Sequence, residues 1–377
     1  MSIGVYVHVP FCRTRCHFCA FYLQIYREHN ALAYVKVLAH EIRLHAAQDS
    51  LEGRPLDSIY FGGGTPTVLR PVELSRILRL IVDQFDLASH AELTLEAHPD
   101  TVTAEGLDVL VRAGFNRVSF GVQSMEREEL LLVGRPTSPD KTRSAVSLAR
   151  AAGFDNISLD LIYGLPGQTL ASWRMTLDET MALSPSHISC YALAVEDGTR
   201  LQRDFQRRES PEADGELQLA MEHETAYKLG AAGFQHYEIS NFCKPGFACR
   251  HNLLYWTGGD YLGLGPSAQS YVKGWRFGNV EDLEEYQKAL NTGQMPIVRR
   301  ERLSGEQRRR EAVVFGLRLT GGIDLTAQGY DTCVTDHGWN KELERLIGQG
   351  LVERLADRIT LTEIGRRFAD SVAVALL

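Results

Sequence analysis

The sequence predicts an α/β fold: a partial (β/α)6 barrel, followed by a smaller, mostly helical region whose end resembles a winged-helix unit. Three observations predict it. Short β-branched or aromatic runs alternate with longer amphipathic stretches, which implies parallel strands joined by helical crossovers. Six such units, rather than eight, fit before the rhythm breaks near residue 200. Conspicuous glycines and polar side chains fall at the C-terminal ends of the runs, where barrels and open α/β sheets place ligands. A doubly wound open sheet is the alternative.

The strand-like runs are 3–9, 58–61, 92–96, 117–122, 157–162 and 187–191. Helix-like stretches occupy 33–47, 71–85, 103–113, 138–152 and 171–183. Two of these end in Ala-Gly-Phe, at 113–115 and 152–154, where the glycine stops the helix and an apolar residue packs beyond it. Residues 203–215 are highly charged and read as a loop, leading to a helix over 216–232. Residues 236–275 are rich in aromatics and glycine and show little regular periodicity. From residue 304 the pattern turns helical again, ending with a helix over 343–353, a short strand over 358–361 and a last helix from 362. The expected division is a barrel over 1–200, an extension over 201–300 and a helical C-terminal domain over 301–377.

Forty basic against forty-eight acidic residues give a net charge of -8. Binding to nucleic acid through phosphate neutralisation is therefore not expected. The winged-helix-like end carries 11 basic and 12 acidic residues, net -1, so packing rather than DNA binding is its expected duty. No apolar run approaches the ~20 residues of a membrane span. The N-terminal residues lack a basic segment and lead straight into a strand, so no secretory signal is expected and a cytoplasmic location is.

Seven cysteines cannot all pair, and Cys190, Cys243, Cys249 and Cys333 are scattered like buried small hydrophobes. The other three form a C-x3-C-x2-C loop, Cys12, Cys16 and Cys19, just after the first strand. Three thiolates in one tight loop suit an iron–sulfur cluster; zinc, completed by His8 or His17, and free buried thiols are the alternatives. With an aromatic, Phe18, before the last cysteine, the loop resembles the signature of radical S-adenosylmethionine (SAM) proteins. The resemblance implies a 4Fe–4S cluster held by Cys12, Cys16 and Cys19, whose fourth iron is chelated by SAM, and reductive cleavage of SAM to a 5′-deoxyadenosyl radical.

Phe61-Gly62-Gly63-Gly64-Thr65-Pro66 follows the second strand and leaves backbone amides bare for close approach. It resembles the family segment that contacts the methionyl amino group of SAM. Together with Tyr6 and His8-Val9-Pro10-Phe11, Phe120-Gly121-Val122-Gln123-Ser124 and the stretch 160–169, it resembles the oxygen-independent coproporphyrinogen dehydrogenase group. That resemblance spans nearly the whole chain. It implies SAM contacts at Tyr6, Phe18, Gly63, Gly64, Thr65, Glu96, Gln123, Arg135, Asp160 and Ala194.

Two features divide that group. Its dehydrogenases carry a fourth nearby cysteine, at the position Phe21 holds here. Its heme-chaperone branch lacks that cysteine and carries H-N-x-x-Y-W, matched by His251-Asn252-Leu253-Leu254-Tyr255-Trp256. The resemblance therefore implies a chaperone that binds heme and hands it to an acceptor protein, a membrane heme protein, rather than a coproporphyrinogen dehydrogenase. A neutral imidazole is a good axial heme ligand and Tyr and Trp offer flat apolar faces, which makes His251, Tyr255 and Trp256 the heme candidates. His236 and Cys249 are the reserves. Departures from the branch are His98 where Asn is common, Gln269 where His is expected, and the lack of a His after Gly134-Arg135-Pro136-Thr137.

Overall fold

A computed structural model describes residues 3–48, 51, 53–207, 215–326 and 337–377. Cys333 and most of the charged stretch 203–215 lie outside the described residues.

The six expected strands are β1 (Ile3–Val9), β2 (Leu56–Gly63), β3 (Leu87–Ala97), β4 (Arg117–Gln123), β5 (Asn156–Tyr163) and β6 (His187–Ala192). They lie side by side in chain order, each parallel to the next. The crossovers run through α1 (Glu28–Ala47), α2 (Pro71–Gln84), α3 (Ala104–Ala113), α4 (Pro139–Ala152) and α5 (Leu170–Ala182). This is the partial (β/α)6 barrel. Local chemistry sets the helix ends. Thr103 caps α3 by accepting from Gly106 N, and Thr169 with Ser172 forms a capping box on α5. Gly114 and Gly153 stop α3 and α4 in the left-handed conformation, and Phe115 and Phe154 are buried just beyond.

Each barrel strand alternates between two buried environments. Ile3, Val5, Val7 and Val9, like Val118, Phe120 and Val122, join the apolar core beneath the helices. The residues between them face the barrel interior and are largely polar: Tyr6 and His8, Ser58 and Tyr60, Thr94 and Glu96, Arg117 and Ser119, Ser158 and Asp160, His187 and Ser189. A period of two places each set on one side of the sheet.

The segment after residue 200 extends the sheet at both ends, which its sequence does not suggest. After α6 (Gly215–Ala231), β7 (Gln235–Glu238) and β8 (Asn241–Cys243) continue antiparallel from β6. A short helix, α7 (Arg250–Trp256), then leads into β9 (Asp260–Leu264), which pairs parallel with β1. β10 (Gln269–Val272), β11 (Trp275–Asn279) and, after α8 (Leu283–Asn291), β12 (Ile297–Arg302) complete a twelve-stranded sheet. These added strands hold three to six residues each, too few for a period to stand out.

The C-terminal region has its own apolar core, built on Val313, Trp339, Leu343, Ile359 and Leu376. It comprises α9 (Gly305–Gly316), β13 (Ile323–Asp324), α10 (His337–Gly348), the hairpin β14 (Val352–Leu355) and β15 (Arg358–Leu361), and α11 (Ala369–Leu376). The helix expected over 343–353 stops at Gly348, because Gly350 turns the chain with φ 71° and residues 352–355 become the first hairpin strand. No helix among the described residues is long and apolar enough to cross a membrane.

Candidate functional site

A cavity of about 590 Å³ opens at the C-terminal ends of the barrel strands. Cys12, Cys16 and Cys19 line it, together with Phe18, Gly63, Gly64, Thr65, Glu96, Gln123, Arg135 and Asp160. Residues distant in sequence thus meet on one wall because each ends, or closely follows, a neighbouring parallel strand.

The cysteine loop is fixed from two sides. Gly64 N donates to Val9 O at 2.9 Å, Thr65 N donates to Phe11 O at 2.7 Å, and Cys12 Sγ lies 3.3 Å from Thr65 Oγ1. A Cβ on Gly64 would come within 2.6 Å of Phe11 O, so this approach of the two loops requires glycine. On the other side, His17 N donates to Val133 O at 2.9 Å, and Arg135 Nη1 donates to Cys16 Sγ at 3.4 Å. Gln123, at the end of β4, takes φ 69°, a left-handed backbone that a non-glycine residue holds only under constraint.

The carboxylates are buried in the polar interior. Tyr60 OH donates to Glu96 Oε1 at 2.8 Å. Burial pushes the Glu96 carboxyl up to about 7, with Asp160 adding to the rise. Asp160 accepts from Ser119, Ser158 and Ser189 at 2.9, 3.2 and 2.6 Å; burial raises its pKa while these hydrogen bonds pull it back. His98, one of the departures noted above, lines the same wall, where burial and then Arg135 push its imidazole down to about 3.

Two of the expected SAM residues are not on the wall. Tyr6 lies in the barrel interior, stacked on Tyr60 at 6.3 Å with its hydroxyl 3.1 Å from His8 Nδ1. Ala194 is exposed beyond the end of β6. Conversely, the cavity is also lined by Tyr60, Arg117, Ser119, Ser189, Tyr191 and Asn252. The signal that marks the strand residues among these is the period-two alternation of polar positions along β2, β4 and β6.

The H-N-x-x-Y-W segment forms α7, packed against β1, β2 and β9. His251 is buried, with Nδ1 2.8 Å from Ser58 Oγ and Nε2 2.9 Å from Tyr255 OH, and it stacks on Tyr60 at 5.1 Å. Burial holds its pKa near 3, so the ring is neutral. Trp256 lies under Arg318 of the C-terminal region at 4.7 Å. Asn252 joins this helix to the cavity wall. His236, a reserve, stacks on Phe242 at 4.1 Å, and Cys249 is buried beside Glu92 at 3.4 Å.

A model of the radical SAM superfamily matches residues 6–180, and one of the HemN C-terminal domain matches 303–368. A Mycobacterium tuberculosis (strain ATCC 25618 / H37Rv) protein named heme chaperone HemW is 36% identical, over 99% of this chain and 94% of that one. The chain belongs to the HemW family of radical SAM proteins. Another HemW, from Bacillus subtilis (strain 168), is 33% identical over 99% of each chain. The HemN structure from Escherichia coli, described as a coproporphyrinogen III oxidase and radical SAM enzyme, matches with a TM-score of 0.87 and 28% identity. That match covers 100% of this chain and 90% of the other. The radical SAM family implies a 4Fe–4S cluster and SAM, and the site suits both: three free thiols share a cavity wall with buried polar groups and a glycine-rich turn. Phe21, where the resemblance to the dehydrogenases leads one to expect a fourth cysteine, is 65% exposed at the rim of the same cavity.

Proposed function

We propose that this chain is a radical SAM heme chaperone that binds heme and passes it to an acceptor protein, with a 4Fe–4S cluster on Cys12, Cys16 and Cys19. The observation that carries the reading is the union of two features: a cysteine-lined cavity, and an adjoining α7 whose Asn252 lines the cavity beside the buried His251. The names of the relatives support it. When bound, the cluster supplies one electron for reductive cleavage of SAM. The chain's own residues hold the cofactor. Gly63, Gly64 and Thr65 would contact SAM from the turn that holds the cysteine loop, Arg135 would pair with the SAM carboxylate, and Glu96 and Asp160 would accept from ribose hydroxyls. Gln123 and Phe18 close the wall, Ala194 adds a contact from beyond β6, and Tyr6 acts through Tyr60.

His251, Tyr255 and Trp256 are the proposed heme residues. Ligation through His251 Nε2 requires the Tyr255 hydroxyl to yield, because that nitrogen is engaged by it at 2.9 Å. The proposed acceptor is a membrane-associated heme protein and the proposed location is the cytoplasm. The chain divides at residues 200 and 300 into barrel, extension and C-terminal domain.

Anaerobic reconstitution with iron and sulfide, followed by separate assays of heme binding and coproporphyrinogen turnover, tests the reading. Heme uptake without porphyrinogen conversion is expected, and efficient conversion would overturn it. His251→Ala should lose heme affinity while keeping its cluster. Tyr255→Phe, which frees Nε2, should keep or raise that affinity; unchanged heme affinity in His251→Ala would reject His251 as the ligand.

A further inference from the structure

The tyrosine hydroxyls of the barrel interior are bonded to bases. Tyr60 OH donates to Glu96 Oε1 at 2.8 Å, and Tyr255 OH lies 2.9 Å from Nε2 of the neutral His251. His8 Nε2 faces the Tyr22 carbonyl at 3.2 Å, so it carries the ring proton and Nδ1 accepts from Tyr6 OH at 3.1 Å. Ser158 Oγ donates to Asp160, so His187 Nδ1 donates to Ser158 and its Nε2 accepts from Tyr237 OH at 2.9 Å. A buried hydroxyl needs a partner, yet a carbonyl serves as well, as it does for Tyr34 of α1, which donates to His8 O. A base beside the hydroxyl does more: a tyrosine that loses an electron must also lose its proton. The rings also form a line. Tyr60 lines the cavity and lies 5.1 Å from His251, which lies 5.2 Å from Tyr255. Tyr255 meets Tyr261 at 4.7 Å, and Tyr261 lies 6.4 Å from the half-buried Tyr271 of β10. The branch from Tyr255 to Trp256 is longer, 6.2 Å, and Arg318 sits 4.7 Å over that indole, where its charge opposes a ring cation. The favoured way out is through Tyr261.

We propose that Tyr60, Tyr255, Tyr261 and Tyr271 form a redox relay that carries an oxidising equivalent from the cavity to the surface, discharging a radical that finds no substrate carbon. The inference rests on the radical SAM reading above. The oxidant is the carbon-centred radical left by reductive cleavage of SAM. It takes the hydroxyl hydrogen atom of Tyr60: the O–H bond breaks, a C–H bond forms, and a neutral phenoxyl remains. Tyr255 gives this phenoxyl an electron while its own proton passes to His251 Nε2. Protonated Glu96 hands Tyr60 a proton and regains one from solvent. Tyr261 then reduces Tyr255, which recovers its proton from His251, and Tyr271 reduces Tyr261, both exchanging their protons with solvent. A thiol in solution ends the sequence. Its S–H bond breaks, the Tyr271 O–H bond re-forms, and two such thiyl radicals join as a disulfide.

The test uses the full chain, anaerobically reconstituted, reduced with dithionite, desalted and mixed with SAM in the absence of heme. Samples frozen at intervals are read by electron paramagnetic resonance. A tyrosyl signal is expected, and it should narrow when the tyrosines carry ring deuterium. Tyr60→Phe should abolish it. A nitroso spin trap in solution should label Tyr271 of the wild type, located by mass spectrometry. Tyr261→Phe should prolong the tyrosyl signal and lose that label. Both substitutions keep the ring and its packing, so a purely structural role for these tyrosines would leave signal and label unchanged. SAM cleavage without a tyrosyl signal would overturn the proposal, as would equal labelling of Tyr271 in wild type and Tyr261→Phe. A chain that takes up no iron and sulfide, or leaves SAM intact, fails the radical SAM reading instead, so the two failures are distinguishable.

Discussion

A methyl group on Gly4 would lie 2.6 Å from Leu254 Cδ1, 2.7 Å from Ser58 Oγ and 3.0 Å from His251 Nδ1. That one position thus sets how closely α7 sits on β1. Gly4→Ala should cost about 1–3 kcal/mol, the usual range for overpacking, and should displace His251 from Ser58. A urea midpoint equal to that of wild type would show that α7 gives way freely. Buried imidazoles make a second prediction at this scale. Burial holds His45 near 4 against an ordinary value of 6.5. Between these values the folded chain binds fewer protons than the unfolded one, so its contribution is complete above pH 6.5. It is lost as pH falls toward 4, at up to ~1.4 kcal/mol per unit. The Glu96 carboxyl, raised to about 7, acts with the opposite sign, contributing fully below its unfolded value and losing that contribution as pH rises through 7. His45→Phe, which keeps a ring beside Phe277, should therefore lose less stability than wild type between pH 7 and pH 5. Parallel losses in denaturant melts would refute this.

At the scale of elements, α7 is too short to be stable by itself, and it is held at its N-terminus from another strand. Glu92 of β3 accepts from Arg250 N at 3.0 Å and from His251 N at 3.3 Å, groups the helix itself leaves without partners. Glu92→Ala should cost about 1–3 kcal/mol and raise amide exchange through residues 250–256, while exchange in β5 stays as it was. Unchanged exchange in α7 would remove Glu92 from this role. The same scale shows what the sequence made legible. Among the barrel helices, α3 and α4 were the most readable, because each ends on a glycine stop signal, Gly114 and Gly153. The cysteine loop was readable because its three thiols are local. Tyr60, Arg117 and Ser189 were not singled out, since each is one polar residue in an apolar run until its neighbours in the parallel register are known. β7 to β10 were missed because strands of three to five residues carry no visible period, and their partners lie far away in the chain.

For the whole molecule, the decisive pairing is that of β1 with β9, Ile3 opposite Asp260 through Val7 opposite Leu264. It places the N-terminal strand in the interior of a twelve-stranded sheet. A fragment of residues 1–200 should therefore expose the β1 edge and aggregate, whereas the full chain stays dispersed. A dispersed, cooperatively melting fragment would show the barrel to be autonomous. The C-terminal core reaches the rest through Thr320 N, which donates to Tyr237 O at 3.1 Å, and through Arg318 over Trp256, so α7 touches both units. The β1–β9 pairing also has a meaning in time. A ribosome delivers β1 well before β9, so the open edge of β1 is covered only when residue 264 has been made. The loop that carries Cys12, Cys16 and Cys19 therefore follows a strand left unpaired on that side until residues 260–264 arrive. A chain stalled before β9 should therefore offer the β1 edge to other chains, as the 1–200 fragment does.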